Sequence, residues 1–207
     1  MKQLPHLLAL TTDTICRAAD FAARAAAIAA AGPASGLVVR APGSTAAQHA
    51  DFAERVAAIT RASRAMLVVH ARPDLARAVC ADAVQLRRED LAPRDARRVL
   101  EDGWIGVAVH DRAEAEAAIA EGADFLVAGN LYETASHPDR PGKGAGWLAD
   151  LCTVPRPVFA IGGITPARAA EVRRAGAWGL AAISAVWDAP DSGVATRAML
   201  AAWEQAA

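Results

Sequence analysis

The sequence has few of the residues that mark several common classes of protein. Its three cysteines, Cys16, Cys80 and Cys152, are far apart and form no CxxC pair, so we expect neither a metal cluster nor a disulfide framework. No apolar run approaches the roughly 20 residues that a membrane-spanning helix needs. The apolar run near the start is too short for a signal peptide. We therefore expect a cytoplasmic protein with no membrane partner.

An excess of positive charge is also absent. The 22 Lys and Arg residues are balanced by 23 Asp and Glu residues, which gives a formal net charge of −1. Only two of the basic residues are lysines, Lys2 and Lys143. Nucleic-acid-binding proteins usually carry a basic patch, so we expect no nucleic-acid partner.

The chain does contain a regular alternation of short apolar runs with longer alanine-rich segments. Runs dense in Val, Ile and Leu lie at 7–10, 36–40, 65–70, 83–86, 105–110, 124–129, 157–163 and 179–184. Such continuous runs are typical of strands buried on both faces of a parallel sheet. Helices are predicted at 50–62, 93–103, 112–122 and 166–176, because apolar residues recur at three- and four-residue spacing and prolines and glycines mark the ends.

Eight strands alternating with helices predict a closed (βα)8 TIM barrel. No Pro/Ser-rich linker or block of charge divides residues 1–207, so we expect a single domain. An open doubly wound sheet is the alternative, because the number of strands does not prove closure. The barrel is favoured because no GxGxxG follows the first run and the phosphate-loop signals come late in the chain.

Two loops late in the chain have the features of a phosphate site. In a (βα)8 barrel the active site lies at the carboxyl ends of the strands, and the loops after strands 7 and 8 often hold phosphate. Gly162 and Gly163 follow the seventh run and lead into a helix, where backbone N–H groups can approach an anion. Ile183 and Ser184 follow the eighth run and can complete this cradle. A simple tight turn is the alternative interpretation of the two glycines.

Polar residues follow the other strands as well. They are Arg40, His70, Arg72, Glu89, Asp90, His110 and the long polar segment 130–144, NLYETASHPDRPGKG. Imidazole titrates near neutral pH and suits proton transfer. The histidines expected at this end of the barrel, His70, His110 and His137, are therefore candidates for acid–base chemistry.

Three segments resemble a known family. EGADFLVAGNLYETASHP (121–138), VFAIGGITPARAAEVRRAGAWGLAAISAVW (158–187) and VVHARPDLARAVCADAVQLRREDL (68–91) resemble the thiamine phosphate synthase and thiazole tautomerase (TenI-like) superfamily. The resemblance covers nearly the whole chain. It implies a (βα)8 barrel, a thiazole phosphate as the small-molecule substrate, and, as a family-level expectation, a homodimer.

A synthase of this family joins an aminopyrimidine diphosphate to a thiazole phosphate and releases pyrophosphate with the help of Mg²⁺. This chain departs from the synthase pattern. The family run Gln-x-Arg-x-Lys falls on Val38, Arg40 and Pro42, so only the arginine remains. An Asn-Asp pair falls on His70 and Ala71, and one metal-binding carboxylate is lost, while Asp90 matches the other. One carboxylate alone is a poor site for magnesium.

The resemblance also assigns roles to the segment after strand 6. The family run Thr-x-Thr-Lys falls on Thr134, Ser136 and His137, which keeps both hydroxyls as substrate-binding groups and loses the lysine. Lys143 can partly replace that charge. Among the family's thiazole phosphate residues, Gly162, Gly163, Ile183 and Ser184 are all retained.

The retained phosphate cradle favours a tautomerase-like enzyme, which moves a proton to aromatise the thiazole and needs no cofactor. The family's catalytic histidine falls on Asn130, which cannot carry the proton. We therefore predict His137, His70 or Glu133 as the acid–base group. A divergent synthase is the second hypothesis, and only this one would call for Mg²⁺. A non-catalytic phosphate-binding or regulatory homologue is the third.

Overall fold

The computed structural model describes residues 2–134 and 141–206 of the 207-residue chain. The strands are β1 (Leu7–Leu10), β2 (Ser35–Val39), β3 (Met66–His70), β4 (Ala83–Leu86), β5 (Trp104–Val109), β6 (Phe125–Ala128), β7 (Val158–Ile161) and β8 (Gly179–Ala182). Within the described ranges, parallel neighbours pair in chain order, and β1 pairs with both β2 and β8. The sheet therefore closes. The predicted (βα)8 barrel is confirmed and the open sheet is excluded.

The helices surround this barrel. They are α1 (Asp13–Arg17), α2 (Phe21–Ala29), a 3-10 turn (Gly32–Ala34), α3 (Ala46–Ser63), α4 (Pro73–Ala78), α5 (Pro93–Leu100), α6 (Arg112–Ala120), α7 (Gly144–Leu151), α8 (Pro166–Arg174), α9 (Ser184–Trp187) and α10 (Ser192–Glu204). Within residues 2–134 and 141–206, no helix is long and apolar enough to cross a membrane.

Local chemistry sets where the elements begin and end. Thr45 and Gln48 form a capping box, so α3 starts four residues before the predicted position. Glu101 has a φ of 59°, which ends α5 at Leu100 rather than at residue 103. Strand β7 stops at Ile161, two residues earlier than predicted, because the glycines that follow it have positive φ and cannot continue an extended strand.

The core has two layers. Side chains on the outer face of the strands pack against the helices, and a second cluster fills the barrel interior. In the interior, Phe125 and Phe159 meet edge to face with ring centroids 5.6 Å apart. Gly106 and Gly179 lie against these rings, and a Cβ at Gly106 would stand 2.2 Å from the Phe125 ring. Burial of each phenyl ring stabilises the fold by about 2–3 kcal/mol, and the glycines leave the space that the rings need.

Candidate active site

The carboxyl ends of the strands open into a cavity of about 170 Å³. Its wall is formed by His110, Gly129, Asn130, Thr134 and the residues 161–164 and 181–185. The cavity therefore lies between the loops that follow β5, β6, β7 and β8. The sequence places the phosphate cradle and part of the polar segment 130–144 at this same position.

The two glycines after β7 are required by the close approach of the loop after β6. Gly162 has a φ of 107° and Gly163 a φ of 62°, and both values favour glycine. A Cβ on Gly162 would lie 2.9 Å from the Cα of Asn130, and a Cβ on Gly163 would lie 2.8 Å from the carbonyl oxygen of Glu133. Both turn geometry and backbone packing therefore exclude a side chain here.

Backbone hydrogen bonds join these two loops. The Leu131 N–H donates to the Ile161 carbonyl at 2.8 Å, and the Tyr132 N–H donates to the Gly162 carbonyl at 3.1 Å. The Arg168 guanidinium donates to the Gly163 carbonyl and lies 4.1 Å from the centre of the Tyr132 ring. The glycine loop is thereby held from two sides before any ligand arrives.

The cradle has backbone N–H groups beside the cavity. Among the described residues, no hydrogen bond uses the backbone N–H of Gly163, Ile164 or Ser184. Gly163 and Ile164 precede α8, Ser184 opens α9, and all three line the cavity. Unused N–H groups near the positive end of a helix form an anion site. Thus Gly162, Gly163, Ile183 and Ser184, all predicted to bind substrate, lie together at one wall.

The polar segment after β6 is only partly described. Thr134 lines the cavity, whereas the Glu133 side chain is exposed. Ser136 and His137 lie outside the described residues, and their substrate-binding and catalytic roles stay predictions. The Lys143 ammonium donates to the carbonyl oxygen of His110 and lies 4.4 Å from the centre of the Trp147 ring. This contact ties the end of the segment to the loop after β5.

His110 lines the cavity, although the sequence predicts His137, His70 or Glu133 as the acid–base group. Its Nδ1 lies 3.1 Å from Oε2 of Glu114, and its backbone N–H donates to the same oxygen at 2.8 Å. The sequence indicates this pair, because Asp111 is a helix-capping residue that places Glu114 at the third position of α6. The i,i+4 spacing then brings the carboxylate to the ring.

The opposite side of the barrel mouth carries Arg40. This residue follows β2 and is half-buried, and its backbone is fixed by the Thr11 hydroxyl, which accepts from the Arg40 N–H at 2.8 Å and donates to the Arg40 carbonyl at 3.0 Å. Burial lowers the pKa of the guanidinium, the Asp13 charge partly opposes this shift, and the Arg87 charge adds to it. Arg40 still keeps its positive charge, because guanidinium groups do not lose their proton in proteins.

His70 ends β3 beside Arg40. Only 5 % of the residue is exposed, and burial, followed by the Arg40 charge, lowers the pKa of its imidazole to about 4. The ring is therefore neutral near pH 7. A neutral imidazole of such low basicity is a poor proton carrier in this pH range. The geometry does not bring Glu133 into the cavity wall either, so neither residue gains support as the acid–base group.

The residues at this side do not fit the magnesium site that the family implies. Both carboxylate oxygens of Asp90 accept hydrogen bonds from Arg87, with the Arg87 backbone N–H at 2.7 Å from Oδ2 and Arg87 Nη2 at 2.8 Å from Oδ1. Ala71 brings a methyl group, and its φ of 63° lies in the left-handed region. Within residues 2–134 and 141–206, no group of three or more His, Cys, Asp or Glu side chains could hold a metal ion. Asp90 is thus engaged with a guanidinium.

Comparisons with known proteins agree with this architecture. The family model described as thiamine monophosphate synthase matches residues 7–186. The thiamine biosynthesis bifunctional protein ThiM/ThiE of Symbiobacterium thermophilum is 48% identical over 141 residues, which are 65% of this chain and 29% of that protein. The thiamine-phosphate synthase of Chloroflexus aurantiacus is 41% identical over 137 residues, which are 65% of this chain and 63% of that protein. The chain thus spans less than two thirds of these curated relatives.

A solved structure matches over a greater length. The thiamine phosphate pyrophosphorylase from Pyrococcus furiosus superposes with a TM-score of 0.85 at 30% identity, covering 98% of this chain and 96% of that chain. The match of the family model to most of the chain and the full-length structural match agree with the resemblance seen in the sequence. The chain belongs to the thiamine monophosphate synthase family.

Proposed function

We propose that this barrel is a thiamine phosphate synthase. The reaction forms a bond between the thiazole nitrogen and the methylene carbon of an aminopyrimidine diphosphate. The bond from that carbon to the diphosphate oxygen breaks, and its electron pair leaves with pyrophosphate. The comparisons favour this activity over a tautomerase, because the relatives are named as synthases and the structural match covers the whole barrel.

The observation that carries the proposal is the arrangement of two anion-binding sides at one barrel mouth. The cradle of Gly163, Ile164 and Ser184 offers backbone N–H groups that suit the thiazole phosphate. Arg40 follows β2 on the other side and offers a half-buried positive charge that suits the diphosphate. A transferase that joins two phosphorylated substrates needs both.

A buried acceptor lies inside the barrel beside His70. Gln85 is the register partner of His70 and shares its strand face with Ala83, which belongs to the interior cluster. Only 4 % of Gln85 is exposed, and its Oε1 has no hydrogen-bond partner among the described residues. A buried acceptor left without a donor costs about 1–3 kcal/mol. The amino group of an aminopyrimidine would supply that donor.

The direct test is formation of thiamine phosphate. The full chain is incubated with aminopyrimidine diphosphate and thiazole phosphate, and thiamine phosphate and pyrophosphate are measured together. We expect one pyrophosphate for each thiamine phosphate, and a loss of at least about 30-fold in kcat/KM for Arg40→Gln, equal to about 2 kcal/mol of lost stabilisation. Arg98→Ala, which removes the same charge from an exposed position on α5, should keep the rate. No turnover in the presence of both substrates would contradict the proposal.

A specific observation also favours a second candidate, the tautomerase. His110 lines the cavity beside the cradle, and Glu114 fixes its Nδ1, so this imidazole can move a proton on a bound thiazole. The same preparation is therefore assayed for thiazole aromatisation without the pyrimidine substrate. Ligand binding with neither reaction would leave the non-catalytic homologue.

A further inference from the structure

The ends of β2, β3 and β4 bring two arginines to one side of the barrel mouth. Arg40 directly follows β2, His70 ends β3, and Arg87 directly follows β4. The charges of Arg40 and Arg87 act on each other, and both act on His70 between them. Arg40 and Arg87 thus follow the strands on either side of β3, at the same end of the barrel.

Arg40 has no carboxylate within ion-pair distance among the described residues. Asp13 is the acidic group whose charge acts on it, but the Asp13 carboxylate accepts from the Gly43 N–H at 3.0 Å and from the Ser44 hydroxyl at 2.7 Å. A half-buried cation without a partner is unfavourable, and an anion bound from solution would compensate it.

Arg87 is held in place and keeps donors for a ligand. Its Nε and Nη2 donate to Asp90 at 3.3 and 2.8 Å, and its Nη1 lies 3.1 Å from Oε1 of Glu89. A guanidinium carries five N–H groups, so these contacts leave two for a further acceptor. The Asp90 side chain is only 10% exposed, whereas Glu89 is 64% exposed. Asp90 is therefore the anchor and Glu89 is a partner that an incoming phosphate can displace.

We propose that Arg40 and Arg87 form a metal-independent site for the diphosphate group, in which Asp90 anchors Arg87 instead of holding magnesium. Identification of the anion as a diphosphate rests on the proposed synthase function. A magnesium ion takes near-octahedral oxygen ligands, and here it would have to displace Arg87 from the carboxylate. Guanidinium groups bind phosphate oxygens in a bidentate manner and carry their charge permanently. They therefore supply positive charge at the leaving group without a bound cation.

The test measures binding of inorganic pyrophosphate to the full chain by titration calorimetry, once in excess EDTA and once in excess Mg²⁺. We expect binding in EDTA, with Arg87→Ala and Arg40→Ala each weakening it at least about tenfold. The control Arg98→Ala should bind as the unchanged chain does. Binding that occurs only with Mg²⁺, or binding in EDTA that Arg87→Ala leaves unchanged, would overturn the proposal.

A second variant separates the two roles of Asp90. If Asp90 anchors Arg87, Asp90→Asn weakens pyrophosphate binding by a similar factor in EDTA and in Mg²⁺. If Asp90 holds magnesium, the variant weakens binding only in the Mg²⁺ arm, and the proposal fails. The synthase assay is read separately. If pyrophosphate binds in EDTA but no thiamine phosphate forms, the anion site is supported and the proposed synthase function is refuted. If turnover requires Mg²⁺ and pyrophosphate does not bind in EDTA, the synthase function is supported and the metal-independent site is refuted.

Discussion

Glu114 accepts two hydrogen bonds from His110, one from the backbone N–H at 2.8 Å and one from the imidazole Nδ1 at 3.1 Å. The other carboxylate oxygen of Glu114 accepts from Arg88 at 2.9 Å. An ionised carboxylate can only accept, so it selects the His110 tautomer that carries its proton on Nδ1. The Nε2 atom is then the nitrogen available to take a proton from a ligand in the cavity.

This pair gives a prediction that separates the two candidate reactions. His110→Gln should slow thiazole aromatisation by about 100-fold, because a positioned acid–base group contributes at least that factor. The synthase rate should change by less than about threefold, since the ring nitrogen attacks without losing a proton. Glu114→Gln should slow aromatisation by about tenfold through loss of the tautomer. Both rates are measured on the same preparations.

Glu116→Gln is the matched control for the pair. Glu116 lies on the same helix and contacts Arg112 at the surface, so both reactions should keep their rates. Aromatisation that is equally fast in His110→Gln and in the unchanged chain would rule out His110 as the proton carrier.

A second prediction concerns the glycine cradle. Gly163→Ala should lower the free energy of unfolding by about 1–3 kcal/mol, because the new Cβ meets the Glu133 carbonyl at a φ that L residues rarely adopt. Thiazole phosphate binding should weaken by at least about tenfold as the backbone donors move. Urea denaturation and calorimetry measure the two effects.

Gly146→Ala is the control for that substitution. Gly146 lies within α7 with open space where a Cβ would stand, and at such a position alanine stabilises a helix by up to about 1 kcal/mol. We expect a small gain in stability and unchanged binding. If Gly163→Ala behaved like Gly146→Ala, the close approach of the two loops would not be required.

Much of the barrel could be predicted from sequence, because most strand residues are buried on both faces and the runs are rich in apolar residues. The glycine loop was also predictable, since Gly162 and Gly163 directly follow such a run. The contacts of Arg87 with Asp90 were not. They depend on how the loop after β4 turns its backbone N–H toward the carboxylate, and no periodic pattern encodes that.

The state of His70 could not be predicted either. The sequence predicts that His70 lies at a strand end, and it does. Whether its imidazole is charged depends on its depth in the barrel and on the nearby guanidinium groups. Likewise, the sequence places Glu114 four residues after His110 but does not show that this histidine lines the cavity, because the cavity wall is assembled from loops distant in the chain.

A third prediction concerns packing inside the barrel. Gly106→Ala should lower the free energy of unfolding by about 1–3 kcal/mol, because the new Cβ would stand 2.2 Å from the Phe125 ring. Replacing the ring as well, in Gly106→Ala/Phe125→Leu, should cost less than the sum of the two single substitutions. If the free energies of unfolding from urea denaturation were additive, the contact between a Cβ at residue 106 and the Phe125 ring would not be what destabilises Gly106→Ala.

The last prediction is a pH dependence of stability that comes from His70. Its pKa is about 4 in the folded protein and 6.5 ordinarily, so the unfolded chain binds the proton more tightly. The free energy of unfolding that depends on the neutral ring is fully present above pH 6.5 and is lost as the pH falls toward 4. At about 1.4 kcal/mol for each pH unit between the two values, the full effect is about 3 kcal/mol, of which about 2 kcal/mol is lost by pH 4.5. His70→Gln, which cannot titrate, should lose about 2 kcal/mol less than the unchanged chain between pH 7 and pH 4.5, as measured by urea denaturation. Parallel curves for the two proteins would mean that His70 is not held neutral by burial.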